Sequence, residues 1–189
     1  MLFMLSLQEQ KTILRKEMRE RIKNLSEEER VKQSQVICQH ILKSAQWKQA
    51  KCFLLYSPLK DEPDITSLFA TALSEGKLLY LPKYNSDANE YSIAPVGNIE
   101  KDIRIGKYGI KEPITCATMQ KDIDFILVPG LCFDPTGARL GRGKGFYDRL
   151  LSQISGFKCG VCWEGGWLLE RFIPMEHHDA RMDTCWCDL

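Results

Sequence analysis

The stretch "DFILVPG", Asp124 to Gly130, decides the fold class of this chain. It is a near-continuous apolar run, which is typical of a β-strand that is covered on both faces. Two strand-like stretches, "KCFLLYS" and "KLLYLPKY", come earlier, and "DITSLFATALSEG" between them is predicted to be a helix that ends at Gly76. This alternation of strands and helices favours an α/β fold. We therefore predict a three-layer open sheet with helices on both faces.

The beginning of the chain predicts two helices. The first runs from about Gln8 to Asn24, and the second begins at Ser26, which forms a capping-box pattern with Glu29. Three apolar side chains of the first helix share one face: Leu14, Met18 and Ile22. Three basic side chains share the adjoining face: Lys11, Arg15 and Arg19. That face predicts either a cationic binding site or an ordinary solvated surface.

A glycine-rich stretch, "GARLGRGKGFYDRLL", follows the buried strand. Because "YDRLLSQIS" at its end has a helical pattern, the stretch is predicted to connect a strand to a helix. In open α/β sheets, ligands bind beyond the carboxyl ends of the strands. Glycines at 141, 143 and 145 allow backbone amides to approach a phosphate, and Arg142 and Lys144 add positive charge. The stretch therefore predicts a site for a ligand that bears phosphate.

The loop does not follow either of the common glycine-rich phosphate motifs. Lys144 is followed by Gly145 where a P-loop has Ser or Thr, and Phe146 interrupts the dinucleotide G-x-G-x-x-G spacing. A solvated surface turn rich in glycine remains an alternative interpretation.

Composition sets limits on the class of protein. With 189 residues, of which 44% are hydrophobic and 27% charged, we expect a single domain over residues 1–189. The net charge of +1 gives no reason to expect a protein whose whole surface binds nucleic acid or a membrane. The opening "MLFMLSLQ" is too short and lacks the basic residues of a signal peptide. We expect a cytoplasmic chain that acts as a monomer.

Eight cysteines are scattered along apolar stretches of the chain. One interpretation is a zinc site formed by Cys159, Cys162, Cys185 and Cys187, and another is a thioredoxin-like redox pair. However, "GFKCGVCW" has the pattern of a strand, which would direct Cys159 and Cys162 to opposite faces. We therefore predict buried, reduced thiols without zinc.

The longer segment "VPGLCFDPTGARLGRGKGFYDRLL" resembles the signature of the 5-formyltetrahydrofolate cyclo-ligase family, also called 5,10-methenyltetrahydrofolate synthetase. Other pieces resemble the family in the same order: "KTILR", "LLYSPLKDEPDI", "GKYGIKEP" and "IPMEHHDARMD". The resemblance spans nearly the whole chain. Two features depart from it, since Phe146 stands where the family often has Tyr, and the end "TCWCDL" replaces a tail that commonly carries a Thr-Glu pair.

The resemblance implies ATP- and Mg²⁺-dependent conversion of 5-formyltetrahydrofolate to 5,10-methenyltetrahydrofolate, with release of ADP and phosphate. It also implies phosphorylation of the formyl oxygen followed by attack of N10, in a fold of the sugar-phosphate isomerase and coenzyme A transferase type. Two alternatives from other classes stay open. One is an enzyme that acts on a phosphorylated small molecule without ATP. The other is an RNA-binding module that uses the basic helix and loop.

The family's functional residues carry over to matching positions. The ATP site would comprise Lys11, Arg15, Arg139, Leu140, Gly141, Arg142, Gly143, Lys144, Gly145, Phe146 and Tyr147. The catalytic charges would be Arg142 and Lys144. Substrate contacts would come from Ser57, Glu62 and Phe146. The magnesium ligands would be Asp148 and Asp179.

Two expectations concern side chains around these positions. The ring system of a folate needs an apolar slot, and five aromatic residues are candidates for it: Tyr56, Phe133, Phe146, Tyr147 and Trp163. His177 and His178 are adjacent and are expected to point apart, so they do not predict a metal site with two histidines.

Overall fold

The computed structural model describes residues 5–106, 109–118 and 120–187. The helices are α1 (Leu7–Asn24), α2 (Glu27–Lys43), α3 (Ala45–Gln49), α4 (Ser67–Ser74), α5 (Ile99–Asp102) and α6 (Phe146–Leu151). The strands are β1 (Cys52–Leu54), β2 (Leu78–Asn85), β3 (Glu90–Val96), β4 (Ile103–Ile105), β5 (Lys111–Pro113), β6 (Asp122–Pro129), β7 (Cys132–Phe133), β8 (Arg139–Leu140), β9 (Ser155–Val161) and β10 (Thr184–Trp186). A short 3-10 helix spans Glu164–Gly166.

Six of the strands form one sheet in the order β10-β9-β6-β1-β2-β3. All neighbouring pairs are parallel except β2 and β3, which form an antiparallel hairpin. The chain proceeds from β1 to β2 on one side, whereas β6 leads to β9 and β10 on the other. The carboxyl ends of β1 and β6 therefore flank the point where the strand order reverses, which is where ligands bind in such sheets. The predicted α/β class is confirmed.

Helices cover both faces of this sheet. On one face, α2, α3 and α4 bury their apolar side chains against alternate residues of β1, β2, β6 and β9. On the opposite face, α6 packs with the intervening residues of β1 and β6. This two-sided burial explains why residues 125–129 of β6 are all buried, as the continuous apolar run in the sequence predicts.

The first helix lies away from both faces. Leu14, Met18 and Ile22 of α1 are buried against the β7–β8 hairpin and the segment around Trp163. Capping boxes at Ser6 and Ser26 begin α1 and α2, so the predicted start of the second helix is confirmed. Packing on the hairpin places the basic face of α1 beside the glycine-rich loop.

Several local features differ from the predictions. The helix predicted for "YDRLLSQIS" is shorter than expected, since α6 ends at Leu151 and β9 begins at Ser155. The hairpin of β7 and β8 is inserted between β6 and the loop. The sequence analysis also missed β3 and β10, whose partners are distant or lie across a tight turn.

None of the eight cysteines, all of which lie in the described part of the chain, forms a disulfide, and Cys159 and Cys162 pack in different apolar clusters. Their opposite placement agrees with the strand pattern, while the absence of zinc remains a prediction. None of the helices in the described part of the chain has the length and apolar composition needed to cross a membrane.

Candidate active site

A cavity of about 450 Å³ opens at the carboxyl ends of β1 and β6. Its walls come from α1, the segment after β1, the β2–β3 hairpin, β5 with the residue before it, the glycine-rich loop and the segment before β10. Every residue predicted for the site lies in these walls: Lys11, Arg15, Ser57, Glu62, Arg139, Leu140, Gly141, Arg142, Gly143, Lys144, Gly145, Phe146, Tyr147, Asp148 and Asp179. The fold thus brings six separate pieces of sequence to one place.

The cationic face of α1 forms one wall. Lys11 is 4% exposed, and its Nζ lies 2.5 Å from Asp179 Oδ2 and 3.0 Å from Glu176 Oε2. Although burial alone would raise the pKa of Asp179, hydrogen bonds from the Glu176 amide and from Lys11 prevail and lower it. One helical turn further on, Arg15 Nε donates to the Gly141 carbonyl at 3.1 Å. This contact ties α1 to the loop.

A second ion pair joins the hairpin to α6. Nη2 of Arg139 lies 2.9 Å from both carboxylate oxygens of Asp148, and both side chains are largely buried. The amide of Ala180 donates to the same carboxylate at 3.3 Å. Asp148 therefore links α6 to the segment that carries Asp179.

Arg142 is held by two acidic residues from the segment after β1. It donates to Asp61 through both terminal nitrogens, at 2.6 and 3.0 Å, and to Glu62 Oε1 through Nε at 3.0 Å. Burial opposes the charge of Arg142, but these two carboxylates prevail and raise its pKa. Burial also raises the pKa of Glu62, against the opposing influence of Arg142. Arg142 and Glu62, predicted separately for ATP and folate, are thus direct partners.

The backbone of the loop depends on its glycines. Gly143 and Gly145 have φ of +100° and +64°, in the left-handed region that favours glycine. A Cβ at Gly141 would approach Arg139 Nη1 to 2.7 Å, so a side chain there would displace the buried guanidinium. The three glycines predicted to approach a phosphate therefore also serve the shape of the loop.

Part of the cavity wall is aromatic. Phe146 packs against Tyr91 and Tyr84, with ring centroids 5.2 and 5.7 Å apart, and Tyr91 also contacts Tyr147. Of the five aromatic candidates, Phe146 and Tyr147 line the cavity. The other three, Tyr56, Phe133 and Trp163, are buried core residues and do not line it.

Tyr91 is a wall residue that the sequence analysis missed. It lies on β3, and the short alternating pattern of that strand was the signal that could have indicated it.

The carboxylates offer places for a divalent cation. Ligand atoms of Glu176, His178 and Asp179 all lie within 4.8 Å of one another, and Asp148 lines the same cavity. Carboxylate oxygens suit Mg²⁺, which prefers one or two of them together with phosphate oxygens and water. Glu176 and His178 were not predicted. The expectation that His177 and His178 point apart is wrong, because their rings are in edge contact at 5.2 Å, but His178 alone belongs to the cluster.

Several buried polar atoms in the cavity walls have no hydrogen-bond partner within the described part of the chain. They are Ser57 Oγ, Arg139 Nε and Glu112 Oε1. Buried polar atoms normally find partners. Such atoms in the walls of one cavity indicate that a bound ligand supplies them.

Similarity to known proteins identifies the family of this chain. A family model described as the 5-formyltetrahydrofolate cyclo-ligase family matches residues 7–187. The chain belongs to this family. A cyclo-ligase of Mus musculus is 27% identical over 189 residues, covering 90% of this chain and 89% of the mouse protein. A cyclo-ligase of Mycolicibacterium smegmatis is 33% identical over 141 residues, covering 67% of this chain and 68% of that protein.

Solved structures of cyclo-ligases have the same fold. The NMR structure of 5,10-methenyltetrahydrofolate synthetase from Aquifex aeolicus matches with a TM-score of 0.83 and 38% identity, covering 94% of this chain and 89% of that one. A synthetase from Mycoplasma pneumoniae matches with a TM-score of 0.70 and 25% identity. These matches confirm the resemblance stated from the motifs.

Proposed function

We propose that this cyclo-ligase carries out its ATP-dependent conversion of 5-formyltetrahydrofolate to 5,10-methenyltetrahydrofolate within the cavity at the carboxyl ends of β1 and β6. The observation that supports the placement is that the cavity walls carry both cationic and aromatic side chains. A nucleoside triphosphate requires the cations, and the ring system of a folate requires the aromatic surface.

The chemistry of the conversion explains why charge is needed. The formyl oxygen is a poor leaving group, so it attacks the terminal phosphorus of ATP and displaces ADP. N10 then attacks the activated formyl carbon, and the oxygen departs with inorganic phosphate. Phosphoryl transfer asks the protein mainly for positioning and for neutralisation of charge.

Two elements of the cavity wall, α1 and the glycine-rich loop, share these tasks. Lys11 and Arg15 of α1 lie one turn apart, so both are proposed to bind the polyphosphate. Arg142 and Lys144, on the loop, are proposed to stabilise the charge that develops on the transferred group. The amides of Gly141, Gly143 and Gly145 would add hydrogen bonds to phosphate, as part of an ATP site that runs from Arg139 to Tyr147.

Asp148 and Asp179 are the residues that would hold Mg²⁺, with Glu176 and His178 beside them. When bound, the ion neutralises phosphate charge. In this structure, Asp179 is paired with Lys11 and Asp148 with Arg139. Binding of a nucleotide would give the two cations phosphate partners and leave the carboxylates for the metal.

The architecture, the oligomeric state and the location of the protein complete the proposal. The two-sided sheet supports an architecture of the sugar-phosphate isomerase and coenzyme A transferase type. We also propose that the chain acts as a monomer on small molecules, without nucleic acid. Its location is proposed to be the cytoplasm, although a relative in Arabidopsis thaliana is named as mitochondrial.

An isotope experiment tests the reaction. Substrate labelled with heavy oxygen in the formyl group is incubated with enzyme, ATP and Mg²⁺, while absorbance follows the methenyl product. Mass spectrometry of the inorganic phosphate should find the label there after a single turnover. Unlabelled phosphate alongside methenyl product would exclude the phosphorylated intermediate, and lack of ATP-dependent product would exclude the activity itself.

A further inference from the structure

Glu112 is a cavity carboxylate that the proposed reaction does not yet use. It lies on β5 and lines the cavity together with Tyr91, Pro82 and Ile110. Its Oε1 atom is buried and accepts no hydrogen bond from the residues that the structure describes. An acceptor removed from water without a donor costs free energy. At the wall of a ligand cavity, such an atom indicates that the ligand brings the donor.

The described surroundings of Glu112 position its carboxylate, and no cation among the described residues forms a salt bridge with it. A Cβ at residue 106 would come within 2.6 Å of the carboxyl group, so Gly106 leaves the space that the group occupies. Burial raises the pKa of Glu112, while a backbone hydrogen bond from Tyr84 and the charge of Lys83 oppose that rise. The Nζ of Lys83 itself donates to the carbonyls of Thr115 and Ile114.

The other glutamates of the cavity already have partners. Glu62 accepts from Arg142 at Oε1 and from the Leu59 amide at Oε2, both at 3.0 Å. Glu176 accepts from Lys11 and from Gln8. Among the glutamates of the described cavity walls, Glu112 is thus the one with a buried oxygen available to a ligand.

We infer that Glu112 recognises the pterin head of the substrate, by accepting hydrogen bonds from N3–H and the 2-amino group. These two donors lie side by side in the plane of the ring, so one carboxylate can accept both, as it does from an arginine. Tyr91 and Phe146 provide aromatic surface for the ring in the same part of the cavity. The inference rests on the proposed function, and it assigns the pterin to the part of the cavity formed by β5 and the β2–β3 hairpin.

The first test compares Glu112→Gln with Glu100→Gln, a control on an exposed glutamate of the neighbouring helix α5. A hydrogen bond to a charged group contributes enough to change affinity about 10- to 100-fold when it is lost. Glu112→Gln should therefore raise KM for 5-formyltetrahydrofolate by about that factor, while KM for ATP stays within about twofold. The control should match the wild type in both constants. An unchanged KM for the folate in Glu112→Gln would overturn the inference.

The second test identifies the partner of the carboxylate. Binding of 5-formyltetrahydrofolate and of its analogue without the 2-amino group is measured by calorimetry without ATP, in the wild type and in Glu112→Ala. The wild type should bind the analogue about 10-fold more weakly, and Glu112→Ala should bind both molecules equally. An equal loss in both proteins would overturn the inference. The same preparation of wild-type enzyme is also tested for methenyl product. If it makes the product, an equal loss of binding contradicts the role of Glu112 and leaves the proposed function intact.

Discussion

Several cations of the cavity are held by carboxylates that belong to the same cavity. Lys11 pairs with Asp179 and Glu176, and Arg139 pairs with Asp148. These pairs satisfy groups that would otherwise be buried with an uncompensated charge. In the proposed nucleotide complex, a phosphate would replace the carboxylate at each cation. Affinity for nucleotide would then be the difference between two sets of charged contacts.

Lys11 and Lys144 should contribute to different kinetic constants. Lys11→Ala should raise KM for ATP about 10- to 100-fold with little change in kcat, because a phosphate contact made before reaction contributes to binding. Lys144→Ala should mainly lower kcat, because its charge is proposed to act in the transition state. Steady-state kinetics with each substrate varied separately measures both effects.

Lys16→Ala, on the exposed side of the same helix, is the control and should behave like the wild type. Equal changes in kcat and KM for the two cavity variants would mean that the cations act as a single electrostatic unit.

Glu112→Gln should stabilise the protein without ligand while it weakens folate binding. Burial raises the folded-state pKa of Glu112 above its unfolded value. Burial of the ionised carboxylate therefore lowers the free energy of unfolding. This loss is absent at a pH below the unfolded-state pKa and fully present at a pH above the folded-state pKa. At pH 8 the variant should melt about 2 °C higher than the wild type, and the difference should vanish near pH 4. A constant difference across this range, measured by calorimetry, would contradict the assignment of the effect to ionisation.

At the level of elements, two kinds of glycine serve different purposes. Gly143 lies in the exposed loop with φ of +100°, and its hypothetical Cβ meets only the guanidinium of Arg15 at 3.4 Å. Gly156 is the second residue of β9, at the irregular point of its pairing with β6, with φ of +142°, and a Cβ there would lie 1.8 Å from the Ile123 carbonyl oxygen. The first position concerns the cavity, whereas the second concerns the contact of β9 with β6.

Substitution of these glycines should separate activity from stability. Gly143→Ala should lower kcat/KM about 10-fold with a small loss of stability, because the strain falls on the phosphate loop. Gly156→Ala should lower the free energy of unfolding by roughly 2–4 kcal/mol and leave KM unchanged, because the clash is with backbone. Gly76→Ala, with φ of +71° but open space around it, controls for the cost of a positive φ alone. Urea unfolding and kinetics test all three, and equal destabilisation by all of them would contradict the steric explanation.

For the whole molecule, the cysteines are predicted to be structural thiols. Burial raises the pKa of Cys132 to about 12 and that of Cys159 well above its ordinary value, so neither forms the reactive thiolate at neutral pH. Cys116 is exposed. A thiol reagent should modify one cysteine rapidly in the native protein and all eight after unfolding, and Cys116→Ser should remove the rapid phase. Elemental analysis should find no stoichiometric zinc, and metal bound in equimolar amount would make the thiol interpretation wrong.

Motifs and local patterns went far towards the fold and the site. The capping residues of α2, the apolar run of β6 and the glycines of the loop act over a few positions, so the sequence predicted them directly. The sequence did not predict the length of α6, because Ser155 pairs with Asp122 and therefore belongs to the sheet instead of the helix. Short strands such as β10 likewise depend on a partner rather than on their own residues.

By itself, the sequence determined the alternation of elements, the glycine-rich connection between strand and helix and, through its motifs, the family. Only the tertiary structure decided which charges meet, because Lys11 and Asp179 are 168 positions apart and Arg142 and Asp61 are 81 positions apart. It also decided which aromatic residues reach the cavity. Tyr56 and Tyr91 have the same side chain, but of these two only Tyr91 lies in the cavity wall. The physical reason is that helix caps and strand patterns arise from neighbouring residues. Ion pairs and burial arise instead from packing between distant segments, as do buried atoms such as Glu112 Oε1 that have no hydrogen-bond partner among the described residues.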